Sequence, residues 1–433
     1  MKISSSEIRR IFLDYFAGHE HLVISSSSLI PNEDPTLLIV NSGMAPLKPY
    51  FTGEKTPPEQ RLCNIQKCVR TNDIESIGDR HHLTFFEMMG NWSIGDYFKD
   101  EAITLAWGAI KDVFGFDTHR IYATVYSGDN RLPNIPPDEE SIRIWNSLLP
   151  PERIIRLGAN SNFWGPAGET GPCGPCTEVF IDRGEELGCG GKDCGPDCEC
   201  GRFLEIWNAG VFMQYNLHES GDFSELPIKS VDAGAGLDRF SVILQEVDSV
   251  YETDLLKPIK DVIAGERANN ISEKSIRVMT DHIRCATFMI ADGIYTGNTS
   301  REYVLRRLLR RAFLHADLSG VQPQNLARAS SLVVKMFSQY YPQLTQNQRV
   351  IEVAIKKEGD TFGKTLKRGL KEFEKVVLHS KEFISGEDAF KLHDTHGLPL
   401  DLLKEIAKEQ KIKIDEEGYR FFLEEQRKRS RKK

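Results

Sequence analysis

"SVDAGAGLDRF", residues 230–240, sets two glycines, an acid and an arginine at the seam between an apolar, strand-like run and a helix. Gly234 and Gly236 allow a tight strand-to-helix turn and let another molecule approach the backbone closely. The helix that follows carries Leu237, Phe240, Ile243, Leu244 and Val247 at helical spacing, and its N-terminus favours negative charge. A phosphate is a natural guest there. The stretch is not the dinucleotide fingerprint, because Arg239 holds the third glycine position, and it lacks the Gly-Lys-Ser/Thr ending of a phosphate loop. A glycine turn that only caps the helix fits the same letters. "GDTFGKT" at 359–365 has the right ending, but its glycines stand one residue too close and helical sequence precedes it.

Working outward, "RFLEIWNAGVFMQYNL" (202–217) has strand character, whereas residues 160–205 are rich in Gly, Pro and Cys and read as loop. Residues 60–130 mix short strands with one helix, "KDEAITLAWGAIKDVFG", closed by Gly115. The N-terminal "MKISSSEIRRIF" reads as a helix capped by Ser4 or Ser5 ahead of Glu7. "HLVISSSSLIPNEDPTLLIVNSGM" then reads as extended segments broken by Pro31 and Pro35. Beyond about residue 250 the pattern is almost wholly helical. The expectation is an α+β part followed by an all-helical part, with the boundary near Tyr251. A chain of 433 residues has room for two or three such domains.

The composition, 40% hydrophobic and 27% charged, is that of a globular protein. A net charge of −8 argues against wholesale coating of nucleic acid and leaves room for a local basic surface. No run of about 18 apolar residues predicts a membrane span. Nine cysteines without a signal peptide point to reduced thiols or metal ligands, and to a cytoplasmic location.

Three further stretches carry chemistry. In "CVRTNDIESIGDRHHLTFFEMMGNWSIGDYF" (68–98), Arg70 can grip a phosphate bidentately and Phe86 can offer a stacking face, while Phe85, Trp92 and Tyr97 read as core. His81 and His82 fall on opposite sides of a strand, one facing a phosphate or both solvated. "CGGKDCGPDCECG" (189–201) offers Cys189, Cys194, Cys198 and Cys200, a set suited to tetrahedral zinc; a reduced, metal-free loop is the alternative. In "REYVLRRLLRRAF" (301–313), Leu305, Leu308, Leu309 and Ala312 form an apolar stripe, with Arg306, Arg307, Arg310 and Arg311 on the other side. That arginine row serves either a solvated helix or contact with a phosphate backbone. The terminal "RKRSRKK" (427–433) could also touch RNA.

Together, "FFEMMGNWSIGDYFK", "NFWGPAGETGPCGPCTE", "FLEIWN…VFMQYN", the opening stretch and "REYVLRRLLRRA" resemble the alanyl-tRNA synthetases, in family order across nearly the whole chain. The resemblance implies a class II aminoacyl-tRNA synthetase: an antiparallel sheet with flanking helices over 1–250 for aminoacylation, then a helical tRNA-recognition domain over 251–433. It implies an alanine–tRNA ligase that uses ATP and Mg2+ and acts on the acceptor stem of alanine tRNA.

By motif position, Arg70 would meet the α-phosphate, and Phe86 and Arg239 would sandwich the adenine with Met88, Gly234 and Gly236 beside them. Asp232 would bind the alanine ammonium, with Gly234 alongside, and Trp164 and Val211 would wall a methyl-sized pocket. Asn298 and Asp394 would read a G·U pair, and the arginine row would hold RNA. Cys173 and Cys176 would lie near the amino acid rather than in the zinc set.

Two departures stand out. Thr71 leads straight to Asn72 and Asp73 without the usual intervening lysine, and "IWNAGVF" holds one residue more than the family pattern, which bears on Val211. No editing-domain signature is present in the sequence, so mischarged products are expected to go unhydrolysed. A non-catalytic RNA-binding relative and a ligase for some other acceptor are the rival readings.

Overall fold

The computed structural model describes residues 2–32, 34, 36–72, 74–265, 271–380 and 383–431; Asp73, Pro35, Lys432 and Lys433 lie outside them. The chain divides into two compact units, Met1–Pro258 and Ile259–Lys433. The division falls after Tyr251 because that turn is tied back into the first unit. Val250 N donates to Arg80 O at 3.2 Å, and the Tyr251 hydroxyl donates to His82 O at 3.2 Å.

The first unit is built on one nine-stranded sheet. Its strands are β1 (Leu22–Val23), β2 (Arg61–Val69), β3 (Phe85–Ile94), β4 (Ile121–Tyr126), β5 (Ile154–Leu157), β6 (Phe163–Trp164), β7 (Gly171–Asp182), β8 (Phe203–Leu217) and β9 (Phe223–Gly236). The spatial order is β1-β2-β3-β9-β8-β7-β4-β5, with β6 beside β7. Pairing is antiparallel through the centre and parallel only at β1–β2 and β4–β5. The expected antiparallel sheet with flanking helices is therefore present.

The helix Ser5–Ala17 begins where Ser4 and Glu7 close a reciprocal capping box, which satisfies amides that have no partner inside a helix. Its Phe12 and Phe16 pack on Trp207 of β8, which in turn meets Phe240 of the helix Leu237–Leu244. Phe12, Phe16, Trp207 and Phe240 are fully buried, and this aromatic layer holds β8 and β9 from behind.

Several sequence expectations change. The Gly/Pro/Cys-rich stretch is not all loop: "GPCGPCTEVFID" is the strand β7, and a register shift between Cys173 and Cys176 absorbs Pro175, while Pro172 pairs opposite Asn216. A bulge can carry residues that cannot donate to the ladder. The 21–44 stretch forms only a two-residue strand among the described residues. His81 and His82 sit in a turn, not a strand, where His82 pairs with Asp79. "GDTFGKT" lies inside the long helix Gln348–Ser380 and forms no loop.

Among its described residues the second unit carries helices and one two-stranded ribbon, Phe383–Ile384 paired with Lys413–Ile414. Ser272 and Ser385 cap the helices Glu273–Ala291 and Gly386–Asp394 through side-chain acceptors.

Candidate active site

The site stands on the central strands β2, β3, β8 and β9. Gly90 faces Gly234 across β3 and β9, and Val211 faces Asp232 across β8 and β9. A cavity of about 430 Å3 opens above them. Arg70, Phe86, Met88, Trp164, Val211, Asp232, Gly234, Gly236 and Arg239 all line it. Residues separated by as much as the distance from Arg70 to Arg239 in sequence are thus gathered on one surface.

The glycines of the opening stretch serve space rather than turn geometry. Neither has a positive φ, and β9 runs straight through Gly236 into the helix. A Cβ on Gly234 would lie 2.9 Å from Met88 Sδ and 3.1 Å from Met89 O, whereas one on Gly236 would meet nothing within 4 Å. Gly234 lets β3 and β9 close; Gly236 leaves open backbone on the cavity wall.

The extra residue in "IWNAGVF" is absorbed by a register shift between Asn208 and Val211. That bulge keeps Val211 opposite Asp232 and buried beside the cavity.

Asp232 is half-buried in the cavity wall, and desolvation there pushes its carboxyl up to about 7 against a downward pull from Trp92. Trp92 Nε1 donates to Asp232 Oδ1 at 2.7 Å. The indole fits because two glycines make way for it: a Cβ on Gly90 would stand 2.2 Å from its ring, and one on Gly43 2.8 Å. A half-buried carboxyl with one donor and a space in front of it is suited to a cationic group.

On the other side of the cavity the Arg70 guanidinium lies over Phe86, 4.8 Å from the ring centroid, and its Nε donates to Asn41 O at 3.3 Å. Arg239 Nη1 pairs with Glu205 Oε2 at 2.8 Å.

Sequence reasoning missed Glu178, Glu205, Asn208 and Trp92. Glu178 and Glu205 both line the cavity. Burial, and next the charge of Glu205, hold Glu178 well above the usual carboxylate range. Asn208 Nδ2 lies 3.4 Å from Glu178 Oε1. The available signal was a single carboxylate inside each of two apolar strands, "CTEVFI" and "FLEIW", where an acid is seldom buried without a task. Trp92, read as core, is core and also touches Asp232. Two carboxylates on one cavity wall are oxygen donors of the kind a divalent cation takes, so the pair fits the implied Mg2+.

In the second unit, Asn298 is exposed just ahead of the helix Ser300–Leu318 and accepts a hydrogen bond from Arg306. Asp394 is exposed at the end of its helix and accepts from Gln426. The arginine row is not one solvent-facing set. Arg306, Arg307 and Arg310 are half-buried, with Arg307 on Asp401 and Arg310 on Glu358, both at 2.8 Å. Arg311 turns inward, only 6% exposed, and binds Glu405 through two nitrogens at 2.7 and 2.8 Å. It packs there because position 311 shares a helix face with His315 and Leu308, which are also buried.

Residues 7–433 match the family described as tRNA synthetases class II (A). The chain belongs to that family. It is 46% identical over 442 residues to "Alanine--tRNA ligase" of Thermoanaerobacter sp. (strain X514), covering 99% of this chain and 49% of that protein. It is 44% identical to "Alanine--tRNA ligase 1" of Lachnoclostridium phytofermentans, covering 98% and 48%, and 43% identical to the Clostridioides difficile (strain 630) "Alanine--tRNA ligase", covering 99% and 49%. The chain spans about half the length of these curated relatives. Among solved structures, apo histidyl-tRNA synthetase of S. aureus aligns with a TM-score of 0.33 at 10% identity, covering 57% of this chain and 69% of that one. No described helix is long and apolar enough to cross a membrane.

Proposed function

We propose that this synthetase activates alanine with ATP and transfers it to the acceptor end of alanine tRNA. The observation that carries this reading is one cavity holding the desolvated Asp232 carboxylate beside a small apolar wall, and an Arg–Phe face with a second arginine. Asp232 binds the alanine ammonium, and Trp164 and Val211 leave room for one methyl group. Phe86 and Arg239 take the two faces of the adenine, and Met88, Gly234 and Gly236 border it.

The alanine carboxylate attacks the α-phosphorus and pyrophosphate leaves; the tRNA terminal hydroxyl then attacks the carbonyl and AMP leaves. No protein nucleophile is needed. Arg70 stabilises charge that develops on the α-phosphate, and rigid positioning by β3 and β9 supplies much of the remainder. Glu178 and Glu205 would hold Mg2+, which neutralises phosphate charge when bound.

Alanine-dependent ATP–pyrophosphate exchange tests the reading. Exchange with alanine and not with larger amino acids supports it; no exchange with any amino acid leaves a non-catalytic RNA-binding relative.

Trp92 is a positioning residue in this scheme. Trp92→Phe keeps a ring between Gly43 and Gly90 but removes the donor to Asp232. The KM for alanine is expected to rise by about 1–3 kcal/mol, roughly 5–150-fold, with the KM for ATP little changed. Without that donor the Asp232 carboxyl titrates higher, so the acid limb of the alanine KM moves to higher pH. A KM rise with an unmoved limb would make the effect packing alone.

The second unit is assigned to tRNA. Asn298 and Asp394 read the G·U pair of the acceptor stem, and Arg306, Arg307 and Arg310 face the phosphate backbone. Asn298→Ala and Asp394→Ala are expected to spare pyrophosphate exchange and to weaken transfer to G·U stems by about 1–3 kcal/mol. Equal losses on G·U and G·C minihelices would mean that they position RNA without reading it.

A further inference from the structure

The β7–β8 connection departs from Asp182, returns at Phe203, and builds almost no apolar interior. From Gly188 to Arg202 only Pro196 is buried, and the backbone is held by isolated turns such as Cys194 N to Gly191 O and Cys198 N to Gly195 O. What converges instead is sulfur. The Sγ atoms of Cys189, Cys194, Cys198 and Cys200 all lie within 4.8 Å of one another. Cys189 and Cys198 are 3.7 Å apart, and Cys194 and Cys200 3.6 Å. A tetrahedron with Zn–S bonds of about 2.3 Å has edges of about 3.8 Å. These two opposite edges are therefore already at zinc spacing.

The loop is anchored at both sides of the candidate active site. At its base Arg202 grips Asp182 through two nitrogens at 2.8 and 2.7 Å, and Arg183 N donates to Arg202 O at 2.8 Å. Gly201, beside the last cysteine, lies so close to His81 on the cavity wall that a Cβ would stand 2.7 Å from its Nε2. From the tip, Asp197 accepts a hydrogen bond from Ser161 Oγ at 2.6 Å, in the short helix that leads into Trp164. Glu178 of β7 and Glu205 of β8 stand on the two strands that the loop joins.

We propose that Cys189, Cys194, Cys198 and Cys200 bind one structural Zn2+ that closes this loop and thereby fixes His81, Trp164 and the Glu178–Glu205 pair around the cavity. On binding, the four thiols release their protons and coordinate as thiolates, so the site is closed and has no position for substrate. The metal supplies the cohesion that the loop's missing apolar core does not.

The test begins with the wild-type protein, purified without chelator and under reducing conditions. One zinc per chain by elemental analysis is expected, released in proportion as a mercurial titrates the clustered thiols. Cobalt exchanged into the site should give the intense visible absorption of tetrahedral thiolate coordination. Cys194→Ser and Cys198→Ser should each lose the metal and lower the melting temperature, whereas Cys173→Ala, outside the cluster, should keep one zinc. Metal-free wild type whose four clustered thiols react freely would overturn the proposal. So would two disulfides, Cys189–Cys198 and Cys194–Cys200, found by mass spectrometry of that protein. Metal content does not depend on which amino acid is activated, so this result and the pyrophosphate-exchange result can fail separately.

Discussion

Asp232→Ala is expected to cut alanine-dependent pyrophosphate exchange by roughly 10²–10⁴-fold, equivalent to about 3–5 kcal/mol of lost pairing with a buried ammonium. ATP affinity measured alone should stay within a few-fold, because Phe86, Arg70 and Arg239 do not depend on that carboxylate. Asp232→Asn separates charge from shape: it still accepts from Trp92 Nε1, so the pocket keeps its form, yet exchange should fall nearly as far. Exchange within a few-fold of wild type in either variant would remove Asp232 from the amino-acid site.

The pH dependence follows from the same group. Burial raises the empty-site Asp232 carboxyl to about 7, so near pH 6 the unliganded pocket is mostly protonated. The ammonium binds the carboxylate and lowers its pKa, so binding releases a proton below pH 7. Alanine affinity is therefore full above about pH 7 and falls about tenfold per unit well below it. Asp232→Asn should flatten that limb.

How much of this was legible in the sequence varies with the range of the interaction. The strand β9 and the helix after it are local patterns, as is the capping box at Ser4 and Glu7, and the sequence shows each of them. The cavity residues came from motif resemblance, since composition and spacing left "DAGAGLDR" open between a ligand site and a helix cap. What stayed hidden depends on register. Trp92 and Asp232 meet because β3 and β9 pair at those positions, 140 residues apart in the chain. Glu178 and Glu205 approach because β7 and β8 pair through several shifts that no local pattern announces. The bulge at Ala209–Gly210 explains the one extra residue that made Val211 depart from the family pattern. The arginine row shows the opposite failure. Helical spacing put Arg311 with its neighbours on an outer face, but a face is outer only where nothing packs on it, and here Glu405 does.

That buried contact carries the second large effect. Asp281 accepts from His282 Nδ1 at 2.8 Å, which leaves Nε2 to accept from Arg311 at 3.1 Å. Arg311 spans to Glu405, which also bonds His315 Nε2 at 2.9 Å, and His315 Nδ1 meets Ser275 Oγ at 3.0 Å. The network joins the helices Glu273–Ala291, Ser300–Leu318 and Leu400–Glu409. Burial alone would raise the Glu405 carboxyl, yet His315 and Arg311 outweigh it and hold it far below the usual range.

Glu405→Ala strands a buried guanidinium and should cost about 3–5 kcal/mol, lowering the melting temperature of the second unit by about 6–20 °C. Because the folded pKa is depressed, the stabilisation is present above the unfolded carboxylate value of about 4.3 and is lost as pH falls below it. Wild type should therefore show an acid-side decline that Glu405→Gln lacks. The double variant Arg311→Leu/Glu405→Leu removes both charges and should recover much of the loss. Arg306→Gln, by contrast, leaves Arg310 on Glu358 and should melt near wild type while reducing the salt dependence of RNA binding. Calorimetry on wild type and the Glu405 variants, single and double, decides the matter. If Glu405→Ala melts with wild type, the network does not hold the helices together, and Arg311 would return to the set of residues available to RNA.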